Sequence, residues 1–314
     1  MWTDKYKPAE FNQFVGNTEI IGRIASLADH GVYQHLIVSG STGTGKTTAV
    51  NLLIRKVLGD KISQALLKIS SVDNHDIQTI REKIHQFVPK KVVHDNGTKT
   101  KIVLFENADD TLTEGTQQVM RRLMEQHLHH AIFIFVCKHA NKIIESIHSR
   151  CQTLRFFPVS ETDQIQHYRT LCEKEDILFE EDALQWIAKI SEGDMRIGMN
   201  YLQSFSFSKN INSISVKDES IFPYTTDIET CLQRLLAKDM IGAMAIPKRM
   251  SMQGFSALDI IMFIGNVTKY YDVENGQKIV IMKYIAVAYK KIIEGIDSIL
   301  QIYSMFANIV SEID

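Results

Sequence analysis

The apolar run Leu36-Ile-Val-Ser39 passes directly into Gly40-Ser-Thr-Gly43-Thr-Gly45-Lys46-Thr47-Thr48, a complete G-x-x-x-x-G-K-T stretch. No other feature restricts the fold as strongly, because this pattern works only where a strand ends and a helix begins. Ala49, Val50, Leu52, Leu53 and Val57 then supply the helical spacing that the context needs. Gly40, Gly43 and Gly45 let the backbone adopt positive φ and turn successive N–H groups inward, which makes an anion nest at a helix N-terminus. Ser41, Thr42, Thr44 and Thr48 complete the cradle around a β-phosphate. Lys46 supplies an ammonium for the β and γ oxygens, and the Thr47 hydroxyl is the expected ligand of a magnesium ion that neutralises them. The pattern predicts a site for a nucleoside triphosphate.

The 314 residues suffice for two or three domains, and 45% hydrophobic with 23% charged residues is an ordinary globular balance. A formal charge of -2 provides no global basic field, so contact with nucleic acid must come from a local patch or from assembled subunits. Cys137, Cys151, Cys172 and Cys231 show neither C-x-x-C spacing nor an extracellular framework, and the opening Met-Trp-Thr-Asp-Lys is no signal peptide. An intracellular, reduced protein is expected. No run of about 18 apolar residues occurs, so no membrane span is expected. His127, His129 and His130 cluster at one helix end, without the Cys or carboxylate set that a metal site calls for, and read as solvated surface.

Between Leu36 and Phe157 short apolar runs alternate with helical stretches. Leu36–Ser39, Leu66–Ile69, Lys101–Phe105, 131–136 and 153–156 read as strands, which argues for a parallel sheet covered by helices. Residues 89–100, containing His94-Asp-Asn-Gly97, read as a polar loop. At Pro158 the character changes: Ser160-Glu-Thr-Asp163 opens a helix like a capping box, and helical periodicity continues to Leu202. Residues 204–212 look like a connector, after which 228–310 carry helical stripes. The expected fold is therefore α/β, a P-loop parallel sheet over residues 1–158, then a helical lid over 159–212 and an all-helical domain over 213–314.

At this point the chain resembles the small subunits of replication factor C, the AAA+ clamp loader of eukaryotes, archaea and some large DNA viruses. Trp2-Thr-Asp-Lys5-Tyr6-Lys-Pro8 and Phe14-Val15-Gly16-Asn17 are similar to the family's opening signature, which encloses the adenine, placing Val15 and Gly16 at the nucleotide. Gln118-Val-Met-Arg121-Arg122-Leu-Met-Glu125 resembles its Leu-Arg-Arg-Thr-Met-Glu helix. Ser149-Arg150-Cys151 is its Ser-Arg-Cys motif, and Gly193-Asp194-Met195-Arg196 with Asn200-Tyr-Leu-Gln203 its second sensor. The likeness spans most of residues 1–205; beyond 220 it is compositional, with a collar that packs subunits into an arc.

The resemblance implies a heteropentamer of clamp-loader subunits that binds ATP and Mg2+ between subunits, opens a ring-shaped sliding clamp and closes it around primer-template DNA. Its compartment would be the nucleus or a viral replication site if the source is eukaryotic or viral, and otherwise the cytoplasm. Arg150 would reach a γ-phosphate held by the neighbouring subunit, as arginine fingers do, and Arg196 would reach from the lid to the γ-phosphate of its own subunit. The bland alternatives are a local ion pair for Arg150 and a solvated helix position for Arg196. Ile77-Gln-Thr-Ile80-Arg81-Glu-Lys-Ile84 resembles the helix that faces DNA, which puts Arg81 at a backbone phosphate, where contact positions the duplex without reading sequence. An exposed arginine on an amphipathic helix is the alternative.

The chain departs from the family where the strand usually ends in Asp-Glu-Ala-Asp, for here Phe105 leads into Glu106-Asn107-Ala108-Asp109. Glu106 keeps the charge but adds a methylene, so magnesium binding is expected to be weakened and not abolished, through an outer-sphere contact. Asn107 stands where a glutamate would polarise the attacking water, and an amide cannot accept a proton at neutral pH. Asp109 is expected to cap the next helix with Thr111 or Thr113. Lys138 follows Cys137 where the family has Asn, its ammonium directed either to a phosphate or to solvent, and Asn141 lies in the following turn. Ser70-Ser71-Val72-Asp73 replaces Asn-Ala-Ser-Asp without a physical account.

These features together describe a clamp-loader subunit that holds ATP, hydrolyses it poorly at its own site and lends Arg150 to the next. Two readings compete with it: an ATPase in which Glu106 takes both metal and base duties, and a non-catalytic AAA+ scaffold or adaptor.

Overall fold

A computed structural model describes residues 1–32, 34–70, 77–89, 101–128, 130–206, 210–211 and 225–312. The expected polar loop over 89–100 and the Ser71–Asp73 departure lie almost wholly outside these residues. The chain divides into two compact units, Met1–Val216 and Lys217–Asp314.

The first unit is built on a five-stranded parallel sheet of β1 (His35–Ser39), β2 (Leu66–Ile69), β3 (Lys101–Phe105), β4 (Ala131–Cys137) and β5 (Cys151–Arg155), in the order β2-β3-β4-β1-β5. The strands fall where the apolar runs predict, extended by one residue at β1 and β4, while β5 starts two residues earlier and ends one earlier than expected. β1, β3 and β4 are buried throughout, since both sheet faces are covered and the strands need apolar residues on both. Alternation sorts their side chains into two cores. Leu36 and Val38 join Ala49, Val50, Leu53 and Ile54, whereas Ile37 joins Phe133, Phe135, Met120 and Leu123.

The helices that supply these layers are, in order, α1 (Trp2–Lys5), α2 (Thr18–His30), α3 (Lys46–Leu58), α4 (Ile62–Ala65), α5 (Ile77–Phe87), α6 (Ala108–Thr111), α7 (Glu114–Gln126) and α8 (Glu145–His148). Truncating a fully buried side chain here, such as Leu53→Ala, would cost about 2–5 kcal/mol.

Beyond the sheet come α9 (Glu161–Lys174), β6 (Leu178–Phe179), α10 (Glu181–Ser191), α11 (Met195–Ser206) and β7 (Asn210–Ile211). The Ser160 hydroxyl accepts from the Asp163 amide and so starts α9 as the sequence predicts. These helices close around Tyr168, Leu171, Leu184, Ile187 and Leu202. The expected helical lid is modified in one respect. Leu178–Phe179 pairs in parallel with Asn210–Ile211, so part of the expected connector is a short strand that seals Ile211 into this core.

Among its described residues the second unit holds helices and no strand: α12 (Thr225–Leu236), α13 (Met240–Met252), α14 (Ala257–Tyr270), α15 (Asn275–Ile293) and α16 (Ile299–Glu312). Its core gathers Leu232, Ile260, Ile264, Ile281, Ile302 and Phe306. Ser256 and Asp259 form a reciprocal capping box at the start of α14. Among the described residues, no helix is long and apolar enough to cross a membrane.

Candidate functional site

The turn between β1 and α3 adopts the geometry that its glycines permit. Gly40, Gly43 and Gly45 have φ of 147°, 64° and 91°, and Gly45 is the residue that precedes the first turn of α3. The Ser41 carbonyl folds over this turn and accepts from the Thr44 hydroxyl at 2.9 Å and from the Lys46 ammonium at 2.5 Å. Lys46 is only 8% exposed, and burial, reinforced by the charge of Arg196, pushes its pKa down. A desolvated ammonium held by one carbonyl, beside inward-facing amides at a helix start, has the chemistry of a polyphosphate cradle.

Beside the turn lies a cavity of about 360 Å³ whose walls come from three parts of the first unit. The cradle contributes Gly43, Thr44, Gly45, Thr47 and Thr48, the opening segment contributes Tyr6, Phe14 and Val15, and α9 and α11 contribute His167, Met195, Arg196 and Met199. The lining joins apolar and aromatic side chains to hydroxyls and a guanidinium, a set that suits a base and its phosphates, and the Phe14 ring packs directly beside Gly45 of the cradle. Of the residues expected at the nucleotide, Gly16, Gly40, Ser41, Thr42 and Lys46 do not line this cavity, and Ser41 and Thr42 are exposed. Gly16 packs on Val159, and Lys46 is buried under Ser41.

The opening segment is fastened to the lid helices. The Trp2 amide donates to Gln203 Oε1 at 2.8 Å, and the Lys5 ammonium and Tyr6 hydroxyl both reach Glu175 Oε1. Asn17 makes a reciprocal pair with the Phe157 backbone, 2.9 Å in each direction, at the junction between β5 and α9. The cavity is thus enclosed by elements that α9 and α11 hold in place. His167 and Glu175 are the contributors that sequence reasoning missed, since a histidine and a glutamate on a surface-patterned helix carry no local signal. Burial pushes the His167 pKa down.

Asp194, at the entry to α11, accepts from the Arg196 and Ile197 amides at 2.8 and 3.4 Å and rests its carboxylate against Gly43, whose carbonyl accepts the Met195 amide at 3.3 Å. Lid and cradle therefore meet backbone to backbone beside Arg196.

At the tip of β3, Asn107 takes a left-handed conformation with φ of 51° and starts α6 through its carbonyl, which accepts from the Asp110 and Thr111 amides. The Glu106 carboxylate turns toward Lys68 on β2, 3.1 Å away. The expected capping role of Asp109 is corrected: Thr113 caps α7 through the Thr116 amide, whereas buried Asp109 accepts from the Lys138 and His139 amides at 3.2 Å each. It pins the chain leaving β4. The Lys138 ammonium, on an exposed side chain, pairs with Asp110 at 3.4 Å.

Arg150 follows α8 and is bound by its own chain. Nη2 donates to Glu125 Oε1 at 2.6 Å, and Nη1 to the Ser146 carbonyl at 2.7 Å. Arg81 is exposed on α5, whose inner face buries Ile80 and Ile84. Among the described residues no group of three or more His, Cys, Asp or Glu is placed to hold a metal ion. Of the histidine cluster, His130 is exposed, whereas His127 is half-buried and edge-on to His85, with its Nε2 buried. A magnesium ion would depend on Thr47 and on the phosphates themselves.

Comparison with known proteins agrees with this architecture. A family profile described as the Replication factor C C-terminal domain matches residues 223–308, and one described as DNA polymerase III, delta subunit, matches 17–160. Replication factor C subunit 4 of Saccharomyces cerevisiae is 33% identical over 98% of this chain and 95% of its own length. The Replication factor C small subunit of Methanococcus vannielii is 31% identical over 98% of this chain and 97% of its own. Among solved structures, the Thermotoga maritima RuvB Holliday junction branch migration motor superposes with a TM-score of 0.55 at 13% identity, covering 73% of this chain and 79% of that one, a likeness of fold.

Proposed function

The chain belongs to the replication factor C family of small subunits, and we propose that it is an ATP-holding member of a clamp-loading assembly whose own site hydrolyses slowly. The observation that carries this reading is the contrast at the heads of the strands. The cradle of Gly43, Gly45 and buried Lys46 is complete, while the tip of β3 offers Asn107 and a Glu106 drawn to Lys68.

In this reading the amides from Gly43 to Thr47 and the Lys46 ammonium bind the phosphates of ATP, and the apolar side chains of the cavity lining take the base. Magnesium, when bound, would lower the charge of the β and γ oxygens, with Thr47 as its protein ligand and Glu106 at one remove through water. Lys46 releases the Ser41 carbonyl and turns to the phosphates, exchanging one acceptor for a charged one. Arg196 approaches the same anion from α11 and so couples nucleotide occupancy to lid position. Proton removal from an attacking water is the step this chain performs badly. Asn107 can orient a water and cannot take its proton, and Glu106 acts as a base only after breaking its pair with Lys68.

Arg150 reaches outward to a nucleotide held by a neighbouring subunit and offsets charge there. The assembly is a hetero-oligomer, a pentamer by family likeness, whose partners are other loader subunits, a sliding clamp and primer-template DNA. Arg81 meets that DNA at a phosphate. The test is Asn107→Glu in the reconstituted assembly. Restoring the base should raise ATP turnover at this site at least tenfold, and unchanged turnover would count against the proposal.

A further inference from the structure

Resting on the reading that Arg150 serves a neighbouring site, we propose that Glu125 is a latch for that arginine. It holds Arg150 on its own subunit, and releases it by closing on Arg121 instead.

Three observations lead there. Both terminal nitrogens of Arg150 are engaged within the chain, Nη2 by Glu125 at 2.6 Å and Nη1 by the Ser146 carbonyl at 2.7 Å with Ser149 Oγ at 3.3 Å. A guanidinium whose charge is answered by a carboxylate is a weaker ligand for a second anion, so Glu125 competes with any phosphate offered by a neighbour. Second, Glu125 sits between two arginines. Arg121, one turn earlier on α7, places Nε 4.0 Å from the same Oε1. Third, Arg121 Nε is buried and, among the described residues, has no hydrogen-bond acceptor. An unsatisfied buried donor beside a shared carboxylate marks a second position for that carboxylate, because moving there satisfies a group that the present arrangement leaves unmet.

The exchange is therefore nearly balanced. Departure of Arg150 removes one ion pair and improves the other, so the carboxylate is never left alone. Exposure permits the motion, with side chains 37% exposed at Arg150 and 46% at Glu125. Arg121 and Glu125 of one helix and the arginine 25 residues after that Glu thus form one device. Glu125 is a positioning residue, acting on the neighbour's nucleotide through Arg150.

The test uses the reconstituted assembly in which only the site facing Arg150 keeps its cradle lysine, with ATP turnover measured in the absence of DNA. Glu125→Gln should raise turnover by about two- to fivefold, the scale of an exposed ion pair. Arg121→Met should lower it by a similar factor, and the loss should vanish when Glu125→Gln is also present. Turnover that is unchanged or lowered by Glu125→Gln overturns the latch. Arg150→Ala serves as the control for the reading beneath it. Loss of turnover in Arg150→Ala with no response to Glu125→Gln removes the latch alone, whereas no loss in Arg150→Ala removes the finger itself.

Discussion

The carboxylate of Asp194 fills the space beside the α-carbon of Gly43, so closely that a β-carbon at position 43 would lie 1.6 Å from Oδ1. Gly43 is thus fixed twice, by its positive φ and by the lid residue resting on it. Gly43→Ala would add roughly 1–2 kcal/mol of backbone strain and push α11, with Arg196, away from the cradle. Nucleotide affinity should fall at least tenfold, as read by equilibrium binding of a fluorescent ATP analogue. Asp194→Ala placed in the same chain removes the clash and should recover part of the loss, although the Arg196 and Ile197 amides then lose their acceptor. Equal affinity in Gly43→Ala and the parent would show that lid and cradle are not coupled here.

The opening segment depends on Glu175, which receives both Lys5 and Tyr6. Bonds from Lys5 and then Tyr6 hold the Glu175 carboxyl below its ordinary 4.5, and the bond to Glu175 holds Lys5 above its ordinary 10.5. A depressed carboxyl stabilises above its unfolded pKa and loses that effect as pH falls through its folded value. A raised lysine stabilises below its unfolded pKa and loses the effect as pH rises through its folded value. Attachment should therefore be constant across neutral pH and fail below 4.5 and above 10.5. Glu175→Ala should weaken ATP binding severalfold and expose the first residues to limited proteolysis. An unchanged cleavage pattern would mean that the segment is held by other contacts.

His35 carries a different pH dependence. Its ring lies in the sheet, 4% exposed, with Nδ1 accepting the Phe133 amide at 3.1 Å, and burial holds its pKa below 6.5. The unfolded chain takes the proton first, so stability is full above 6.5 and declines as pH falls from there toward the folded value. His127 and His167 are lowered by burial in the same direction. His35→Phe should cost about 1–3 kcal/mol at neutral pH, because the Phe133 amide loses its acceptor. The same variant should flatten the decline between pH 7 and 5, as measured by urea unfolding; a decline as steep as the parent's would contradict the assignment.

How far the sequence reached depended on whether a feature was local. The strands were legible because β1, β3 and β4 are covered on both faces and must be continuously apolar, and the cradle was legible because its glycines answer a backbone requirement. Asp109 was misread because the amides it holds, those of Lys138 and His139, belong to the neighbouring strand's exit, about 30 residues away. A carboxylate before a threonine looks like a cap until the sheet brings that exit alongside. Lys138 found Asp110 by the same tertiary route. Likewise Glu175 lies 170 residues from Lys5, and Ile211 reaches its core through a two-residue strand too short for periodicity to reveal.

The most direct test of the central claim is ATP binding by the assembly, cleared of nucleotide, with Lys46→Ala in this chain against the parent. The buried ammonium beneath Ser41 is the one cation that the cradle encloses among its own residues. The account predicts that the variant retains one ATP fewer per assembly and loses clamp loading. A variant that binds as much ATP and loads clamps as well as the parent would contradict it.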